Sequence, residues 1–320
     1  MGKFTFVPVW IIQDVIIYVL AVIMLVFIVK REKHPASTIL EFVCFVLLNA
    51  AVFENFATLQ GMYGYGRSLI MIFNVPASVP VMEYIVVYTA LRLADSMKIP
   101  TWTKPIFVGV FGMLTDFSLD PLAVSQRFQT LEGTIGRWTW FPGAADIQVF
   151  NIPVYNFTGW VLLCGYAAAM LLLGRWWFKK SGYKNAVGMA YPPLAMIAAL
   201  GVLMSPLSNF LLWLEPIFKG RGGYSEVIMI SAFALGFVLI LALAWRGRMT
   251  RKLSWNQDYI IPVTFTFFHT SNICFTVIGG YWHILSLTLP VAVVHLAIVF
   301  FIFIRGLKSY SPKSSTPRPL

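Results

Sequence analysis

Charge is scarce in this chain. Only 12% of its 320 residues are Asp, Glu, Lys or Arg, where a soluble domain carries about 25%. Hydrophobic residues make up 58%, the mean hydropathy is +0.76, and apolar runs recur from end to end. That balance excludes an ordinary soluble domain and predicts an integral membrane protein, built under bilayer rules. Cysteine is also scarce. Cys44, Cys164 and Cys274 are far apart and all fall in apolar runs, so neither a disulfide framework nor a CxxC metal set is expected. They read as small packing residues. Soluble-enzyme signatures are missing as well: there is no Walker loop, GxSxG, HExxH or dinucleotide GxGxxG. GMYGYG at 61–66 is glycine-rich, but it lies in an outer loop and forms no phosphate cradle.

What the chain has instead is a series of apolar segments. Windows of about 20 residues place nine predicted spans at roughly 8–29, 38–58, 69–91, 105–124, 152–174, 188–214, 225–245, 259–279 and 282–304. The first is too long for a signal-peptide core and ends in KREK, so it reads as a span with a stop-transfer flank. The fold expected is all-α: one polytopic transmembrane helix bundle over 1–305, followed by a disordered, basic, Pro/Ser-rich cytoplasmic tail over 306–320. The segment 125–151, rich in Gly, Pro and aromatics, reads as an interfacial loop or short amphipathic piece.

The net charge of +11 does not point to nucleic acid, because the basic residues gather in short loops. Eighteen of the 24 follow odd-numbered spans and six lie on the other side. The positive-inside rule then puts the N-terminus outside and the C-terminus in the cytoplasm, as expected of a multi-pass protein of the cell membrane.

With that orientation most buried polar residues collect in the outer half of the bilayer: Glu54 and Asn55 ending span 2, Asn74 opening span 3, Asp116 and Asp120 ending span 4, Asn151 and Asn156 opening span 5, and Ser205, Ser208 and Asn209 ending span 6. His269 and Asn272 lie in span 8, while Glu41 and Glu83 read as exceptions lying deeper or toward the cytoplasm. Asp116 and Asp120 are four apart and share a helix face. A membrane-embedded acid costs at least about 2.5–3.5 kcal/mol and is a functional-site hypothesis by default. Two neighbouring acids in a low dielectric do not both ionise, which leaves a neutral carboxylic acid able to donate a proton.

Blander readings stand beside these. Asp120 precedes Pro121 and is also placed to end its helix facing headgroup water. Glu54 can serve a structural hydrogen bond, and His269 is either a satisfied interhelical histidine or a site residue. His283 and His295 read as interface or packing residues. The asparagines can cap or brace helices, and Pro76 and Pro153 suit first-turn positions.

Several of these residues form an ordered pattern: Glu54, Gly61, Tyr63 and Tyr65; Val75 and Pro76; Asp116, Leu119, Asp120 and Pro121; Trp138 and Trp140; then Pro153, Asn156, Phe157, Gly159 and Trp160. It resembles the CruF-type carotenoid biosynthesis proteins, membrane hydratases of acyclic carotenoid ends, over about residues 50–165. The chain departs from that pattern at GMYGYG, at ADIQVFNIP and at Glu83, where the family carries tryptophan.

The resemblance implies a cofactor- and metal-independent hydro-lyase acting on a carotenoid or other polyisoprenoid among membrane lipids, alongside other membrane enzymes of the same pathway. Asp116 would be the general acid and Asp120 its partner, with the roles open to exchange. Glu54 and His269 would position water, and Asn156, Tyr63 and Tyr65 would shape the pocket, with Asn74, Trp138, Trp140, Trp160 and Asn272 around them. Two other readings stay open: an isomerase or cyclase of isoprenoid lipids using the same protonation step, and a proton-coupled transporter.

Overall fold

The computed structural model describes residues 6–130, 133–144, 146–208 and 224–308. It is an all-α bundle. Eight helical stretches among the described residues are long and apolar enough to cross a membrane. In the labels used from here, α1 is Pro8–Arg31, α2 Pro35–Leu59, α3 Ser78–Ser96, α4 Lys104–Ser125 and α5 Val154–Lys180. They are followed by α6 Asn185–Leu203, α7 Tyr224–Ile240, the single-turn α8 Trp255–Asp258, α9 Ile260–Ile278 and α10 Leu285–Lys308.

Local chemistry sets the helix ends. Pro opens α1, α2 and α4, where the missing N–H costs nothing. Basic residues close α1, α5 and α10, against the negative end of the helix dipole. Helix α2 passes through a π-helical turn at Phe45–Ala50, and Asn49 there donates to the Met196 carbonyl of α6 at 3.2 Å.

The third predicted span needs correction. Its first part, 69–76, is not helical. Met71–Ile72 (β2) and Val75–Pro76 (β3) form a hairpin, and helix begins only at Ser78. Helix α3 is not among the eight apolar stretches. It carries Glu83, Arg92 and Asp95, yet 16 of its 19 residues are buried. The chain can place charge there because α3 is enclosed by other helices.

The segment 125–151, read as an interfacial loop or short amphipathic piece, carries short strands among its described residues. Arg127–Thr130 (β4) pairs with Gly133–Gly136 (β5), and Trp138–Trp140 (β6) pairs antiparallel with Tyr63–Tyr65 (β1). Gln148–Val149 (β7) and Ile152–Pro153 (β8) form another hairpin. IFNVP at 72–76 and VFNIP at 149–153 therefore build matching hairpins, each leading into a helix. Phe73, Phe150 and Asn151 take positive φ of 54°, 53° and 62° to close the turns. Pro76 and Pro153 thus end strands; Pro153 is the residue before α5, not within its first turn.

The other departures are smaller. Cys44 and Cys164 are buried, but Cys274 is exposed. Helix α6 ends at Leu203, short of the predicted 214, and Asn209 lies outside the described residues. Residues 306–308 belong to α10, and 309–320 of the predicted tail lie outside the described residues.

Close approach of α4 and α5 positions the site. A Cβ on Gly109 would lie 2.5 Å from the Val161 carbonyl oxygen, and one on Gly112 would lie 2.7 Å from Cys164 Sγ. Small residues at a membrane helix interface let backbones meet in this way. The same face of α4, one and two turns on, presents Asp116 and Asp120 to α5.

Candidate active site

Asp116 and Asp120 are both fully buried, so Asp120 does not end a helix in headgroup water: α4 runs through Pro121 to Ser125. Asn156, near the start of α5, joins the two. Its Nδ2 donates to Asp116 Oδ2 at 2.7 Å and to Asp120 Oδ2 at 2.6 Å. The Oδ1 atom of each carboxyl is buried without a hydrogen-bond partner.

Glu54 of α2 approaches from another side. Tyr63 and Tyr65, on alternate positions of β1, both donate to Glu54 Oε2, at 2.8 and 2.5 Å. Burial, and then the charge of Glu54, push both phenols well above the usual tyrosine range, which keeps them protonated donors. The β1–β6 register sets Tyr63 opposite Trp140 and Tyr65 opposite Trp138. The four rings pack as a box, with Tyr63–Trp140 centroids 4.5 Å apart and Tyr65–Trp138 centroids 4.9 Å apart. Trp160 is one turn beyond Asn156 on α5 and is buried against Gly112.

Glu83 was misplaced by the sequence reading. It is buried in the second turn of α3, within electrostatic reach of Glu54, Asp116 and Asp120. Four acids from three helices therefore share one site, and among the described residues no Lys or Arg forms an ion pair with any of them. Four uncompensated charges so close in a low dielectric are not tolerated, so protons must be retained within the group.

Asp120, Tyr65, Trp138 and Asn272 of α9 line a cavity of about 80 Å³. Its far wall is polar and was not anticipated. Asp14 of α1 accepts from Ser68 Oγ and from Ser78 Oγ (2.7 Å), and pairs with Arg137 at 3.4 Å. Arg137 also donates to Gln13. An acid inside WIIQDVIIY meets the same criterion that singled out Asp116, so Asp14 was detectable from the sequence.

Two predicted residues do not border the cavity beside Asp120, although Asn74 shares an open outer recess with Tyr63 and Tyr65. Asn74 sits exposed in the β2–β3 turn, where its backbone N–H donates to Asn55 Oδ1 at 2.9 Å; a polar residue there serves the turn. His269 is buried against His295 of α10, with Nε2 3.0 Å from His295 Nδ1, and does not border the cavity. Glu41 lies toward the other end of α2, as expected, gripped by Arg175.

No curated protein and no solved structure matches the chain. Residues 13–220, more than half of it, match the family described as carotenoid biosynthesis protein. The matched stretch holds Asp14, all four clustered acids, the aromatic box and Asn156, and leaves Asn272 outside. On that match the chain belongs to the carotenoid biosynthesis protein family.

Proposed function

We propose that the protein is a carotenoid hydratase of the cell membrane, adding water across the terminal C=C of an acyclic polyene end. The observation that carries this reading is the Asn156 amide bridging two buried carboxyls, one of which borders a cavity lined by aromatic side chains.

In this mechanism Asp120, the member of the pair that lines the cavity, breaks its O–H bond as a C–H bond forms at the less substituted alkene carbon. The alkene's electron pair makes that bond and leaves a tertiary carbocation. Tyr65 and Trp138 present ring faces to it, an arrangement that favours cations. A water oxygen then attacks the cation, and the proton it sheds returns to the Asp120 carboxylate. Asp116 and Asn156 hold the charge while the proton is away. This exchanges the roles first assigned within the acid pair, because Asp116 does not border the cavity. Glu54, fixed by its two tyrosines, together with Glu83 keeps the surroundings short of positive charge and so favours the cation. The Asp14–Ser68–Ser78 wall gives water a polar approach to the cavity.

The test is expression in a host that accumulates a polyene with isopropylidene ends, in medium containing ¹⁸O-water. A product heavier by one labelled water is expected, with Asp120→Asn abolishing it. An isomer of unchanged mass, or full turnover in a normally folded Asp120→Asn variant, would overturn the reading.

A further inference from the structure

The end of the bundle opposite the acid cluster holds a second, larger cavity, of about 380 Å³, which the proposed reaction does not use. It opens among the α1–α2 connection, the first turn of α2, the last turns of α3 and α5, Tyr191 of α6 and the segment before α8. Five cations line it, Lys33, Arg92, Arg175, Lys179 and Arg251, against the carboxylates of Glu32 and Asp95.

Three of those cations are fixed from behind. Glu41, fully buried, takes Arg175 Nε at 2.8 Å and Nη2 at 2.5 Å, and receives Tyr191 OH at 2.6 Å. Asp258, also fully buried, takes both Nη atoms of Arg251 at 2.9 and 2.6 Å and pairs with Arg92 at 3.1 Å. Arg92 is already engaged on both Nη atoms: Nη1 pairs with Glu32 of the cavity wall at 2.7 Å and Nη2 donates to the Gln257 carbonyl at 2.9 Å, which leaves only its buried Nε without a hydrogen-bond partner. Lys33 and Lys179 are exposed at the mouth and form no ion pair among the described residues. Locked guanidiniums with donors left over, plus two free ammonium groups, suit an anion offering several oxygens in different directions. Trp176 and Trp177 are exposed beside the mouth on α5, as interfacial tryptophans are at headgroup depth.

We propose that this cavity binds a phosphate-bearing ligand, with Lys33, Lys179 and Arg175 converging on the phosphate. Basic pockets between helix ends at a membrane surface take anionic headgroups in this way. A phospholipid headgroup and a free phosphate share the chemistry, and the experiment separates them.

Full-length protein, delipidated in detergent, is titrated with phosphatidylglycerol, with phosphatidylcholine and with inorganic phosphate, and read by native mass spectrometry. Tight uptake of one phosphatidylglycerol, undisturbed by phosphate and not matched by phosphatidylcholine, assigns a lipid. Binding of phosphate, with the two lipids alike, assigns a soluble anion. In either case the surface double variant Lys33→Gln/Lys179→Gln should weaken binding about 30-fold, from about fivefold per surface lysine. Equal uptake of both lipids with no phosphate bound, or an unchanged double variant, would overturn the site. The hydration assay does not enter this result, so the two proposals fail separately.

Discussion

Replacing Asn156 with leucine, which keeps the branch at Cγ but removes the amide donor, probes the acid pair without touching either acid. Its amide holds one oxygen of each carboxyl at 2.7 and 2.6 Å, and no other described side chain donates to them. When the proton leaves for the alkene, the bond to the newly formed anion changes from neutral to charge-assisted. Neutral hydrogen bonds contribute about 0.5–1.5 kcal/mol and those to charged groups about 1.5–3. The transition state thus gains about 1–1.5 kcal/mol over the ground state, so Asn156→Leu should lower kcat by about 5- to 12-fold. Thr158, two residues on, is the control: it is also buried, and its Oγ1 has no partner. Thr158→Val should leave turnover unchanged. Both variants are assayed in proteoliposomes by chromatography and mass spectrometry of the polyene product, with expression and thermal midpoint matched. Full turnover in Asn156→Leu, or an equal loss in Thr158→Val, would refute the bridging role.

Removing one phenol from Glu54, by Tyr63→Phe or by Tyr65→Phe, should reduce stability by about 0.5–1.5 kcal/mol, and the Tyr63→Phe/Tyr65→Phe double variant should lose more than the sum, because the last removal strands a buried carboxyl; thermal unfolding in detergent of the three variants checks this. Gly112→Leu should drive α4 from α5 at a cost of about 1–3 kcal/mol and lower turnover more than Cys164→Ala, which only relieves the contact; thermal melts and the product assay read both effects. Outside the spans, burial tends to raise the Asp258 carboxyl, but hydrogen bonds from Arg251 and Ser254, with the charge of Arg92, outweigh it and hold the group below its ordinary 3.8. A carboxyl depressed on folding stabilises fully above its unfolded value. That contribution should fade as pH falls from 3.8 through the lower folded value, and Asp258→Asn should flatten this part of a thermal-stability-against-pH curve.

Composition and hydropathy are enough to read the solvent and the outline of the fold. A helix must satisfy its own backbone in lipid, so length and hydropathy alone place most of the spans. The helix face shared by Asp116 and Asp120 also follows from spacing alone. Where charge is hidden by neighbouring helices rather than kept out of the segment, that logic stops working. The third predicted span was set too early because apolar 69–76 looks like membrane helix, whereas its FN turn folds it back as a hairpin and the helix proper begins at Ser78.

Which polar residues meet depends on how the helices and strands pack. Glu54 and Glu83 are 29 positions apart on different helices, and nothing local says that both approach Asp120. Tyr65 meets Trp138 only through the β1–β6 register, across 73 positions. His269 looked equally suited to the site, yet packing turned it toward His295. Periodicity fixes the direction of a side chain around its own helix axis; which neighbour lies in that direction is set by how whole helices pack, a sum over many distant contacts that no short window contains.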